Sequence, residues 1–160
     1  ENKIVSFTEY IDNWDTWDKD TVNYENTDIS FSPNIIAKSQ LNYNLGNLQA
    51  SWIVKHIGNQ FMDNSQSEDR MLDKYTINNL LLSYDVKLNN VKSAKITLLV
   101  NNFLNTEYTN RAWIYRFNTE QSEEDLSYDP YINTDSDGYN MIGYFPQACR
   151  NYLLGLTLGF

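Results

Sequence analysis

The last ten residues, Asn151-Tyr-Leu-Leu-Gly-Leu-Thr-Leu-Gly-Phe160, constrain the fold more than any other stretch. Side chains alternate across a strand, so Tyr152, Leu154, Leu156, Leu158 and Phe160 share one wholly apolar face. Asn151, Leu153, Gly155, Thr157 and Gly159 share the other, which is mostly small or polar. A soluble sheet uses such a strand to cover a core. A transmembrane barrel uses it to meet lipid on one side and a polar lumen on the other.

The same alternation recurs upstream. Besides the closing stretch, strands are expected at about Lys3–Asp12, Ile35–Leu45, Leu48–Phe61, Tyr75–Leu88 and Ser93–Tyr108. Leu41, Tyr43 and Leu45 oppose Lys38, Gln40 and Asn42; Trp52 and Val54 oppose Gln49 and Lys55. Leu80, Leu82 and Tyr84 oppose Asn79, Leu81 and Ser83, while Ile96, Leu98 and Val100 oppose Thr97, Leu99 and Asn101. Gly46-Asn47 supplies a two-residue hairpin turn, and a second short turn is expected around Asn89-Asn90. The remaining connections read as long polar loops: one through about Asp28, one over 63–73 and one over about 109–148. Long and short connections thus alternate, the arrangement of external loops and periplasmic turns in outer-membrane barrels. Expected strands of about 10 to 16 residues exceed the usual 5 or 6 of globular sheets and reach the 9 to 11 of a tilted membrane strand. Six strands fall short of the usual minimum of about eight, which implies a piece of a larger barrel.

Composition narrows the function classes. Mean hydropathy is −0.57, and no run approaches the roughly 20 apolar residues of a spanning helix. That excludes helical membrane proteins only. A net charge of −9 argues against a nucleic-acid partner. Cys149 is the single cysteine, so no internal disulfide or multi-cysteine metal site forms. His56, the single histidine, shares a face with Trp52 and Val54, and an interfacial place suits it better than catalysis or metal binding. Asp135-Ser-Asp-Gly138 resembles part of a calcium loop but lacks the terminal bidentate Glu, and reads as an ordinary turn. The acidic stretch 120–137 reads as a solvated external loop. Trp14, Trp17, Trp113 and Tyr115 are loop aromatics that either stack on a ligand or anchor near headgroups. Lys38, Gln40, Asn42, Gln49, Lys55 and Asn101 are the candidate lumen-lining residues. There is no nucleophile elbow and no phosphate-cradling glycine loop, so neither an enzyme nor a cofactor is expected. No secretory leader opens the chain; either one was removed or the chain is a piece of a longer polypeptide.

Four segments carry a family resemblance: Thr27-Asp-Ile-Ser-Phe-Ser-Pro33, Val54-Lys-His-Ile-Gly-Asn-Gln-Phe-Met-Asp-Asn64, Val100-Asn-Asn-Phe-Leu-Asn-Thr-Glu-Tyr108 and Tyr144 through Phe160. In this order they resemble the C-terminal barrel of TonB-dependent outer-membrane receptors of the Bacteroidetes type. The third segment is similar to that family's next-to-last strand, and the fourth to its closing strand. Cys149 stands where the family commonly has Gly. The resemblance implies an antiparallel up-and-down transmembrane β-barrel of 22 strands, of which residues 1–160 would supply about the last six. It also implies a plug domain and a TonB-contacting segment outside this sequence, and a C-terminal aromatic read by the barrel-assembly machinery. The implied function is uptake of a scarce nutrient such as an iron chelate, haem or cobalamin across the outer membrane. The other reading is a soluble β-sandwich or small-barrel surface module that binds glycan or lipid.

Overall fold

Strand-forming segments occupy more of the chain than the alternation predicts. The computed structural model describes residues 3–88, 91–135 and 138–160; the expected turn at Asn89-Asn90 and the middle of Asp135-Ser-Asp-Gly138 lie outside the described residues. The strands fall into two compact units, each assembled from three separated segments.

The first unit comprises Glu1–Asn34, Asn59–Asp73 and Thr109–Pro146. Its main sheet contains β1 (Lys3–Asn13), β2 (Lys19–Asp28), β9 (Thr109–Asn118), β10 (Ile132–Asp135) and β11 (Gly138–Pro146), in the order β10-β11-β9-β1-β2. β1 and β2 form an antiparallel hairpin. Its turn is made by Asn13, whose side-chain oxygen accepts from the backbone N–H of Asp15 and Thr16 at 3.0 and 3.1 Å. β1 meets β9 in parallel through Asp12↔Phe117 and Asn13↔Asn118, which makes this sheet mixed. A two-stranded ribbon, β5 (Gln60–Phe61) with β6 (Met71–Leu72), lies in the same unit, and one helical turn, α1 (Glu123–Leu126), is closed by a Ser122/Asp125 capping box. Met62, Leu72, Ala112 and Ile142 form a buried apolar cluster, with Phe31 and Ile114 against it.

The second unit comprises Ile35–Gly58, Lys74–Tyr108 and Gln147–Phe160. It is one antiparallel sheet of β3 (Ile36–Leu45), β4 (Leu48–Ile57), β7 (Tyr75–Val86), β8 (Ser93–Asn101) and β12 (Asn151–Gly159). Spatial order follows chain order, and β3 and β12 are open edges. Gly46-Asn47 closes the first hairpin as expected: Leu45 pairs with Leu48, and Gly46 takes a φ of 56° at the first turn position, where a side chain would be strained. β4 ends before Gly58, whose N–H donates to the Ile35 carbonyl. β8 ends at Asn101 rather than Tyr108, because Asn102 leaves the extended region and its side chain clasps Thr106 through both its oxygen and its nitrogen.

The chain is therefore not a single six-stranded wall of an up-and-down barrel. Lys3–Asn13 does not flank β3; it pairs with β2 and β9 in a different sheet. Two of the expected loops carry the rest of that sheet. Period-two alternation failed to reveal these strands because charged side chains occupy inward positions. Arg116 is buried beside Phe117 on β9, and Asp135 is buried on β10.

Candidate functional site

In the second unit, register places matching side chains in rows across the strands. Leu41, Trp52, Leu80, Val100 and Tyr152 form one row; Tyr43, Ala50, Leu82, Leu98 and Leu154 form the next. A third row runs Leu45, Leu48, Tyr84, Ile96 and Leu156. These residues share one face, and the row beyond them carries Val86, Ala94 and Leu158. No second layer among the described residues of this unit covers the face. Among its described residues only Ile57 and Ala94 are buried hydrophobics, while Leu154 stays 73 % exposed and Leu156 66 %. Contiguous exposed apolar area of this kind marks a membrane or partner surface.

The opposite face carries every candidate lumen residue. Lys38 pairs with Lys55, Asn44 with Gln49, and Asn101 with Asn151. Asn42 accepts hydrogen bonds from Gln40 and Ser51 at 2.8 and 2.7 Å, and Asn101 donates to Asn151 at 3.0 Å. An exposed Lys95–Asp85 pair at 3.6 Å joins them. This face is not polar throughout, since Leu81, Leu99 and Leu153 form a stripe through its middle.

The aromatic candidates Trp14, Trp17, Trp113 and Tyr115 all lie in the first unit, in separate roles. Trp14 stacks on the fully buried Phe117 at 3.8 Å, and its indole N–H donates to the Tyr115 hydroxyl, which donates to Asp12. Both belong to the packing of that sheet. Trp113 lies over its cross-strand partner Gly143, where any Cβ would overlap the indole. Trp17 is 88 % exposed at the β1–β2 turn. Cys149 is exposed. His56 lies on the apolar face in register with Thr76, and its Nδ1 is 2.8 Å from the Thr76 hydroxyl.

A buried ion-pair network in the first unit escaped the sequence reading. Arg70 joins Glu9 at 3.0 Å, Asp63 at 2.7 Å and Asp135 at 3.0 Å, and Arg116 joins Glu9 at 3.0 Å. Burial alone lowers the Arg70 guanidinium, but Asp63, Tyr24, Glu9 and Asp135 outweigh it and hold its pKa above the ordinary value. Burial also pushes the Tyr24 hydroxyl up, opposed by its Arg70 hydrogen bond and reinforced by Glu9. The network ties β1, the segment before β6, β9 and β10 together, and Asp135 is no part of a solvated loop. In sequence these residues are far apart and read as surface charge. Among the described residues no group of three or more His, Cys, Asp or Glu is placed to hold a metal ion, and no helix is long and apolar enough to cross a membrane.

Compared with known proteins, the chain matches no family model, no curated protein and no solved structure. Any functional reading rests on this chain's own residues.

Proposed function

We propose that the chain is part of a TonB-dependent outer-membrane transport receptor, and that its antiparallel sheet lies in the bilayer. The uncovered apolar face spanning all five strands carries this reading. A single sheet layer in water has nowhere to bury that face, and a hydrocarbon layer satisfies it. Strand lengths agree: β3, β4, β7, β8 and β12 have 10, 10, 12, 9 and 9 residues, near the 9 to 11 that a tilted strand needs to cross. Lys38, Gln40, Asn42, Gln49, Lys55 and Asn101 then face water. The open edges of β3 and β12 are costly in lipid unless paired, so strands outside this chain complete them. The cargo classes are those the motif resemblance implies: an iron chelate, haem or cobalamin, with energy delivered by TonB through a segment elsewhere in the receptor.

Trp52 reports on the face directly. In vesicles of phosphatidylcholine brominated on its acyl chains, its fluorescence should be quenched, with Trp52→Phe subtracting the signal of the other indoles. A chain that is monomeric in plain buffer and keeps Trp52 unquenched in such vesicles would overturn the membrane reading in favour of a soluble surface module. Transport is tested separately, by growth on each cargo as sole source with and without the full-length receptor.

A further inference from the structure

One end of the apolar face opens into a groove of about 550 Å³ within the second unit, lined in part by His56, Lys74 and Glu107. Its floor continues the rows of the sheet: the Val54–Asn78 pair follows the Trp52–Leu80 pair, and His56–Thr76 comes next. Asn78 is buried, and its side-chain oxygen accepts from the Trp52 indole at 3.0 Å, which links groove to face. The wall is the segment after β8. It folds back over β7 through Phe103 N–H to the Asn78 carbonyl and the Thr106 hydroxyl to the Thr76 carbonyl, and Tyr75 stacks on Tyr108 with centroids 4.4 Å apart. This fold-back brings Glu107 to the same groove as Lys74. His56 is held there by Thr76 through Nδ1, which leaves its Nε2 for a ligand.

We propose that this groove binds the headgroup of a phosphoethanolamine lipid whose acyl chains lie along the apolar face. The proposal rests on the membrane reading of that face. The chemistry selects the headgroup. Lys74 and His56 suit phosphate oxygens, and Glu107 suits a primary ammonium, which donates charge-assisted hydrogen bonds to a carboxylate. A quaternary choline has no N–H to give Glu107. An anionic glycerol headgroup offers the carboxylate only neutral hydroxyls and no positive charge, and its net negative charge is repelled by it. Polar and aromatic groups beside an apolar face are also where a bilayer places its headgroups.

The test uses the full chain in phosphatidylcholine vesicles containing an equal small fraction of acyl-brominated phosphatidylethanolamine, phosphatidylcholine or phosphatidylglycerol. Trp52 quenching should be strongest with the ethanolamine lipid. Both Lys74→Gln and Glu107→Gln change exposed side chains, and each should abolish that preference while leaving quenching by brominated phosphatidylcholine unchanged. Equal quenching by all three lipids, or a preference for the glycerol lipid, overturns the headgroup site and leaves the membrane reading intact. Absence of quenching by any of them sinks the membrane reading itself.

Discussion

Arg70 is the residue on which the first unit depends most visibly. Its side chain is 2 % exposed and answers three carboxylates, of which Asp135 is wholly buried. Removing one partner of a buried pair strands the other charge, at a cost of about 3 to 5 kcal/mol. Arg70→Ala should therefore lower unfolding stability by that amount in a denaturant titration. Arg70→Lys should recover only part of it, because one ammonium cannot span three acceptors as the guanidinium fork does. Gly143 makes a second test. Gly143→Ala drives a methyl into the Trp113 indole and should cost about 1 to 3 kcal/mol, and a simultaneous Trp113→Leu should restore most of the loss. The tyrosines give a pH test. Burial is the leading cause raising the hydroxyls of Tyr24 and Tyr115 above the ordinary value of 10.0, with carboxylate neighbours Glu9 and Asp12 adding to it. The unfolded chain ionises near the ordinary value, so their contribution is complete below it and is lost as pH rises through the higher folded values. Thermal midpoints should fall on that alkaline limb, and the Tyr24→Phe/Tyr115→Phe chain should show a shallower fall.

At the scale of elements, the five strands of the second unit were legible and most of the first unit was not. Alternation identified β3, β4, β7, β8 and β12 because one face of each is almost wholly apolar, while the other mixes polar residues with a few such as Leu81, Leu99 and Leu153. It missed β2 and β9 through β11. There, buried places hold Thr27, Arg116, Asp135 and Asn140, polar residues that alternation reads as outward-facing. Face assignment can be checked by substitution. Leu98 sits in the middle apolar row, between Leu82 and Leu154, and its neighbour Thr97 points the other way. With the sheet in a bilayer, Leu98→Arg should cost about 2 to 4 kcal/mol and Thr97→Arg much less. Equal losses in the refolded protein would contradict the assignment.

For the whole molecule, the uncovered face and the two open edges of the second unit govern behaviour in solution. Exposed strand edges next to apolar surface template association between copies. The chain should sediment as aggregates in detergent-free buffer and as a single species in detergent. Leu41→Ser, Leu154→Ser and Leu156→Ser together should shift it toward solubility while weakening its partition into vesicles. Local pattern alone determined the two faces of the second sheet and its first hairpin turn, because period-two side-chain placement and a glycine turn are properties of neighbouring residues. Only the tertiary structure decided that Lys3–Asn13 leaves that sheet, that two presumed loops build a second one, and that Arg70 and Arg116 sit inside it. Those outcomes depend on pairings across 61 to 107 positions of chain, such as Glu9 with Arg70 and Arg116. A buried charge is identical in sequence to a solvated one until its partner is brought beside it.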